Sequence, residues 1–185
     1  MCAVALENML SFTRDGRRFS YRVAALIIHD ERVLLCTAPG DGFWFLPGGR
    51  VEFFEPGVDC LRREMREELG EDVELGPLLW VAENFFEHEG LRQHEIGLYW
   101  RAYLRPGSPL RRRKSPLHSI EAESGAAITI AWHDLSSIDG LYLVPEFLKD
   151  GVKQPPDSPR YVVHWDIQPE SGKSRKSSRS SSEAG

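Results

Sequence analysis

Sulfur is scarce in this sequence. Its three cysteines, Cys2, Cys36 and Cys60, stand far apart in 185 residues, and no CxxC pair exists to hold zinc or run dithiol chemistry. Nothing in that set asks for an oxidising compartment, so a cytoplasmic protein with free thiols is expected. Long apolar runs are missing too. The stretch 23–28 is far too short to cross a bilayer, and no membrane is expected as a partner. The first ten residues have no basic side chain ahead of their apolar part and include Glu7, so they do not read as a secretory leader. There is also no excess of positive charge: 23 basic residues face 28 acidic ones, a net −5. The last fifteen residues hold four of the basic side chains and one acidic, which leaves 19 against 27 elsewhere, a body at −8. Such a body is a poor non-specific binder of nucleic acid, which makes nucleic acid an unexpected partner. It can still handle phosphates if bound cations supply the missing charge.

What is present suits one globular domain, with 41% hydrophobic and 28% charged residues. Residues 1–19 form an N-terminal segment with a turn at Asp15-Gly16, 20–168 the domain, and 169–185 a low-complexity tail expected to be disordered. Strand-like runs at 21–28 and 31–37 flank the polar break His29-Asp30 and predict a hairpin. A short strand is expected at 43–46 and two long ones at 78–87 and 95–104 about the turn Glu89-Gly90. Further strands are expected at 127–132 and 161–165, a short helix at 145–149, and a basic, Pro/Ser-rich loop over 105–125. Strands dominate without regular βα alternation, which points to an α/β or α+β sandwich.

Residues 56–69 read as a helix, with Pro56 at its first position, Asp59 in the acidic first turn and Gly70 as the stop. Val58, Leu61, Met65 and Leu69 give it a buried stripe. Glu64, Glu67 and Glu68 lie at i, i+3 and i+4 and share a face a quarter to a third of a turn away. Hard oxygen donors in that pattern suit Mg²⁺ or Mn²⁺. On charge pattern alone a solvated face is the commoner outcome, with Arg62, Arg63 and Arg66 at hand to pair with the carboxylates.

The order of residues decides between these readings. From Gly49 the sequence runs GRVEFFEPGVDCLRREMREELGE: Gly, five residues, Glu55, seven residues, Arg63-Glu64, Met65, one residue, Glu67-Glu68, one residue, Gly70. This resembles the Nudix box at every fixed position but the last, where Glu71 stands in place of the usual aliphatic residue. The preceding FWFLPGG resembles the family's approach to the box, and the similarity covers roughly residues 20–135. The resemblance implies an α/β fold, the Nudix-type α/β/α sandwich with a mixed β-sheet. It also implies a metal set of Glu64, Glu67, Glu68 and the Gly48 carbonyl, with Mg²⁺ as cofactor and Mn²⁺ possible. Arg63 would hold the loop carboxylates in place and Glu55 would support the site. The implied reaction is Mg²⁺-dependent hydrolysis of a diphosphate linkage, in a nucleoside diphosphate-X or nucleoside triphosphate, by metal-activated water. Glu64 or Glu68 is the expected general base, with Glu95, Glu121 and Glu123 as candidates from outside the box.

Arg22 and Arg50 are candidates for the substrate's phosphates, Trp44 for stacking a base, and Glu95 for an added carboxylate contact. Phe43, Phe85 and Phe86 have weaker claims to stacking because strand aromatics are more often core. His94 is more often structural than catalytic, and Arg111-Arg112-Arg113-Lys114 more often a solvated loop than a polyphosphate grip. A non-catalytic nucleotide-binding Nudix sensor is the alternative from another class, and an accidental glutamate-rich structural domain a third. The complete set of box carboxylates favours the enzyme. A nucleotide-type small molecule is the expected partner, and a homodimer is possible.

Overall fold

A computed structural model of the chain describes residues 8–120 and 125–167. Among these, strands β1 (Ser11–Arg14), β2 (Arg17–His29), β3 (Arg32–Thr37), β4 (Val73–His88), β5 (Leu91–Leu104), β6 (Leu117–Ile120), β7 (Ala127–Asp134) and β8 (Arg160–Trp165) form one mixed sheet. Its order is β6-β7-β3-β2-β5-β4-β8, with β1 paired to β2. The β2/β5 and β4/β8 pairings are parallel and the others antiparallel. Helices α1 (Gly57–Leu69) and α2 (Leu148–Lys153) cover it.

Three hairpins turn on two-residue connections whose residues both have positive φ: Asp15-Gly16, Asp30-Glu31 and Glu89-Gly90. That backbone matches the right-handed twist of the flanking strands, and Asp and Gly tolerate it well. Alternation along β2 then divides the core. Val23, Ala25 and Ile27 pack with Cys60, Leu61, Met65 and Leu69 of α1, while Ala24 and Leu26 pack with Leu148 and Val152 of α2.

Several expectations need correction. Residues 43–46 do not form a strand: Phe45 bridges Cys36 and Trp44 bridges Leu143 as isolated pairs, because the segment crosses between neighbours without running along either. The stretch 105–125 is not all loop. A 3₁₀ turn, Pro109–Arg112, is capped by Ser108, whose Oγ accepts from the Leu110 amide at 3.2 Å, and β6 follows, antiparallel to β7. The late helix begins at Leu148, where burial of Leu148 and Val152 at i, i+4 sets its inner face. Pro56 caps α1 from outside (ψ 140°), its carbonyl accepting from the amides of Asp59 and Cys60. Val58 is exposed and Cys60 takes its place in the stripe, because the helix is rolled to bury Glu64 and Glu68 as well.

Candidate functional site

The segment 47–51 lies against β2. Ala25 donates its amide to the Pro47 carbonyl, Val23 to that of Gly49, and Val51 to that of Tyr21. The approach of the chains is close. A Cβ on Gly48 would stand 2.1 Å from the Val23 carbonyl oxygen, at a φ of +144° that side chains rarely adopt. A Cβ on Gly49 would fall 2.2 Å from Glu64 Oε1. The two glycines therefore let backbone lie against strand and helix carboxylate at once.

Helix α1 brings its glutamates up to this segment. Glu64 and Glu68 are buried and Glu67 is half-exposed. Glu68 Oε2 accepts from the Gly48 amide at 3.0 Å. Arg63 is the hub. Its Nε and Nη2 donate to the two oxygens of Glu55 at 2.9 and 3.0 Å, its Nη1 to Glu64 Oε1 at 2.6 Å and Glu67 Oε2 at 3.1 Å. Nη2 also reaches the Arg50 carbonyl at 3.2 Å and Cys60 Sγ at 3.3 Å. One planar cation thus ties three carboxylates and the loop backbone together, a use that suits arginine and not lysine. The hydrogen bond to Glu55 holds the Arg63 proton most strongly, against the effect of burial. Burial pushes the Glu55 carboxyl up, but the bonds from Arg63 and the Glu52 amide outweigh it and leave it below its ordinary range. Burial raises the Cys60 thiol far enough to keep it protonated.

The other predicted residues fall into two groups. Arg22 donates Nη2 to the Gly48 carbonyl at 2.6 Å and lies 5.7 Å from the Phe45 ring centre, and a backbone bridge joins it to Arg50. Glu95 and Trp44 are drawn to the sheet face opposite α1. Glu95 is on β5, two residues before the register partner of Arg22, and accepts from Asn84 Nδ2 at 3.2 Å. The same amide nitrogen donates to the Tyr99 hydroxyl at 3.1 Å, and burial, then the Glu95 charge, raises that phenol. Trp44 packs edge-on to His133 with ring centres 4.2 Å apart, and burial lowers the His133 pKa. The grouping of Glu95, half-buried, with the buried Asn84 and Tyr99 was not anticipated; its only signal in the sequence is polar residues at alternating positions of two long apolar strands. Glu121 and Glu123 lie outside the described residues.

The donor set of three carboxylates and a carbonyl is all hard oxygen, and the Gly49 cradle leaves Glu64 room at the loop, so the residues fit a divalent cation of the Mg²⁺ type by chemistry. Among the described residues no three His, Cys, Asp or Glu side chains are already gathered around one point; Arg63 stands between Glu55, Glu64 and Glu67. No described helix is long and apolar enough to cross a membrane.

Comparison with known proteins agrees with this geometry. The family model for the NUDIX domain matches residues 19–150. The uncharacterized Nudix hydrolase YvcI of Bacillus subtilis is 30% identical over 116 residues, covering 63% of this chain and 66% of that protein. Nucleoside triphosphatase NudI of Escherichia coli is 46% identical over 56 residues, 28% of this chain and 40% of that protein. The chain therefore spans just under two thirds of the first of these relatives and less than half of the second. The crystal structure of a NUDIX hydrolase from Nitrosomonas europaea shares the fold, with a TM-score of 0.55 at 19% identity over 79% of this chain and 78% of that one. With a mixed sheet between two helices, an Arg63-centred carboxylate cluster and a family match over most of its length, the chain belongs to the Nudix family.

Proposed function

We propose that this protein hydrolyses a diphosphate linkage in a nucleoside triphosphate or a nucleoside diphosphate derivative, with Mg²⁺ or Mn²⁺ as cofactor. The observation that carries the reading is the Arg63 fork, which fixes Glu55, Glu64 and Glu67 relative to the Gly48–Arg50 backbone while Glu68 grips the Gly48 amide. A glutamate-rich helix with a solvated face has no reason to bury Glu64 and Glu68 or to build a strand-edge loop over them. Glu64, Glu67, Glu68 and the Gly48 carbonyl are the groups that would hold the cation. Once bound, it supplies charge neutralisation at the phosphates and lowers the pKa of a water.

The remaining chemistry belongs to the chain. Glu64 or Glu68 takes the proton of the attacking water, and Arg63 and Glu55 hold the loop in register. Arg22 and Arg50 flank the Gly48 carbonyl, where a polyphosphate would approach, and Glu95 and Trp44 offer an acceptor and a ring to the nucleoside on the far face. The relative named as a nucleoside triphosphatase supports that end of the substrate range. A cytoplasmic location, with Cys36 and Cys60 as free thiols, belongs to the same reading.

The test is phosphate and monophosphate release from a nucleotide panel, with Mg²⁺ present or chelated, for the wild type and Glu67→Gln. Cation-dependent turnover, reduced at least hundredfold in the variant, is expected. Tight nucleotide binding with no turnover of any panel member would replace the enzyme with a sensor.

A further inference from the structure

The segment Pro47-Gly48-Gly49 divides its carbonyls between two kinds of partner. The outer two are taken by β2: Pro47 accepts from the Ala25 amide and Gly49 from the Val23 amide, each at 2.9 Å. Among the described residues the Gly48 carbonyl takes no part in that ladder, and it accepts instead from Arg22 Nη2 at 2.6 Å. A bond that short from a guanidinium is a charge-assisted one.

The two sides of this bond differ in their freedom to move. The Gly48 amide is tied to Glu68 Oε2 at 3.0 Å, and the residue lies so close to β2 that a Cβ would stand 2.1 Å from the Val23 carbonyl oxygen. The oxygen is therefore fixed by its own backbone. Arg22 is a half-buried side chain whose guanidinium rests 5.7 Å from the Phe45 ring centre. Rotation about its long stem takes the guanidinium off the oxygen while the strand stays in place.

The same carbonyl is among the donors assigned above to the divalent cation, and the inference rests on that reading. A guanidinium and a divalent cation on one oxygen stand side by side, and at that range their repulsion favours one occupant at a time. Arg63 meets the cation's other donors differently. Only its Nη1 reaches Glu64 and Glu67, while Nε and Nη2 stay on Glu55, so it can yield those carboxylates without leaving its post. Arg22 has to swing.

We propose that Arg22 exchanges between the Gly48 carbonyl and the substrate: the divalent cation takes the carbonyl, and the displaced guanidinium turns to the phosphates that the same cation binds. An anion arriving without a cation meets an arginine already engaged. Cation and diphosphate then strengthen each other's binding through one side chain, beyond what their direct contact provides, and the gain is reciprocal. Arg22 thereby selects for the cation-complexed diphosphate over the free anion.

The experiment is calorimetric titration of the full chain with Mn²⁺, alone and with imidodiphosphate, whose nitrogen bridge resists hydrolysis. The proteins are wild type, Arg22→Gln and Arg50→Gln. Arg50 is the backbone-bridge partner of Arg22, so its loss removes the same charge from the same neighbourhood. Arg22→Gln should bind Mn²⁺ alone roughly tenfold more tightly, because a charge-assisted bond no longer competes for the carbonyl. Arg50→Gln should change that affinity by less than about threefold. The factor by which Mn²⁺ tightens imidodiphosphate binding should be roughly fivefold smaller in Arg22→Gln than in the wild type. If circular dichroism shows Arg22→Gln unfolded, Arg22→Met reads the same exchange. Weaker or unchanged Mn²⁺ affinity in the Arg22 variant, equal tightening in Arg50→Gln, or an undiminished coupling overturns the proposal and leaves the hydrolase reading in place. No Mn²⁺ binding by any of the proteins removes the cation site itself, and that reading with it.

Discussion

Arg63 is where the chemistry of one side chain does most for this site. Its five N–H groups are spread over Glu55, Glu64, Glu67, the Arg50 carbonyl and Cys60 Sγ, and an ammonium could satisfy only part of that set. Arg63→Lys keeps the charge and loses the fork. The loop should then drift by a fraction of an ångström from the helix, and kcat on the best panel substrate should fall roughly hundredfold. Steady-state kinetics beside a thermal melt check this; an unchanged kcat would remove Arg63 from the positioning role. Glu55 makes a prediction of the opposite kind, about stability. Its folded carboxyl is held below the ordinary 4.5, so its contribution is complete above that value and is lost as pH falls through the lower folded one. In chelator, Glu55→Gln should therefore lower the urea midpoint at neutral pH, and the gap from wild type should close as pH falls through the lower folded value. A gap that stays constant with pH would show that the carboxylate charge is not what stabilises. The box residues were legible through the resemblance of their order to the Nudix box. The contacts of Arg63 with the Arg50 carbonyl and Cys60 were not, since backbone acceptors and a thiol leave no mark in a charge pattern.

At the scale of the element, the helix and the 47–51 segment act as one unit, and the two glycines divide the work between them. The sequence reading found the helix and its stop at Gly70, because periodicity and end signals are local. It erred on Val58 and on a separate carboxylate face because the roll of a helix is set by what it packs against, here β2 and the loop. It missed β1 and β6, short strands with mixed polarity that exist through pairing with β2 and β7. The glycines make the unit testable. Gly48→Ala puts a methyl against backbone that cannot retreat, at an unfavourable φ, and should cost about 3 kcal/mol in urea unfolding. The nearest atoms that Gly49→Ala meets are those of the Glu64 carboxylate, which can swing aside, so its cost should be about 1 kcal/mol while kcat falls at least tenfold. Equal stability losses with unimpaired turnover in Gly49→Ala would show that the Glu64 cradle does not matter.

For the whole molecule, the sheet separates a core that carries the box carboxylates from a core that backs the face of Glu95 and Trp44. The α1 layer holds Met65 next to Glu64 in sequence and under the loop. The α2 layer holds Leu148 and Val152 against Trp80 and Leu143, away from the box carboxylates. Both helices bury their apolar stripes fully, so truncation on either side should leave a cavity: Met65→Ala and Leu148→Ala should each cost roughly 2–5 kcal/mol. The two side chains belong to different clusters on opposite faces, so the double variant should lose the sum to within about 0.5 kcal/mol. Activity should divide where stability adds. Met65→Ala loosens the turn that presents Glu64 and should lower kcat, whereas Leu148→Ala, measured well below its melting temperature, should keep its kcat and shift KM at most, through Trp44. Urea unfolding of the four proteins, paired with kinetics at one temperature, gives both readings. Non-additive losses of more than 1 kcal/mol, or a kcat defect in Leu148→Ala as deep as that in Met65→Ala, would mean the sheet transmits strain between its faces and that the α2 layer helps to position the box carboxylates.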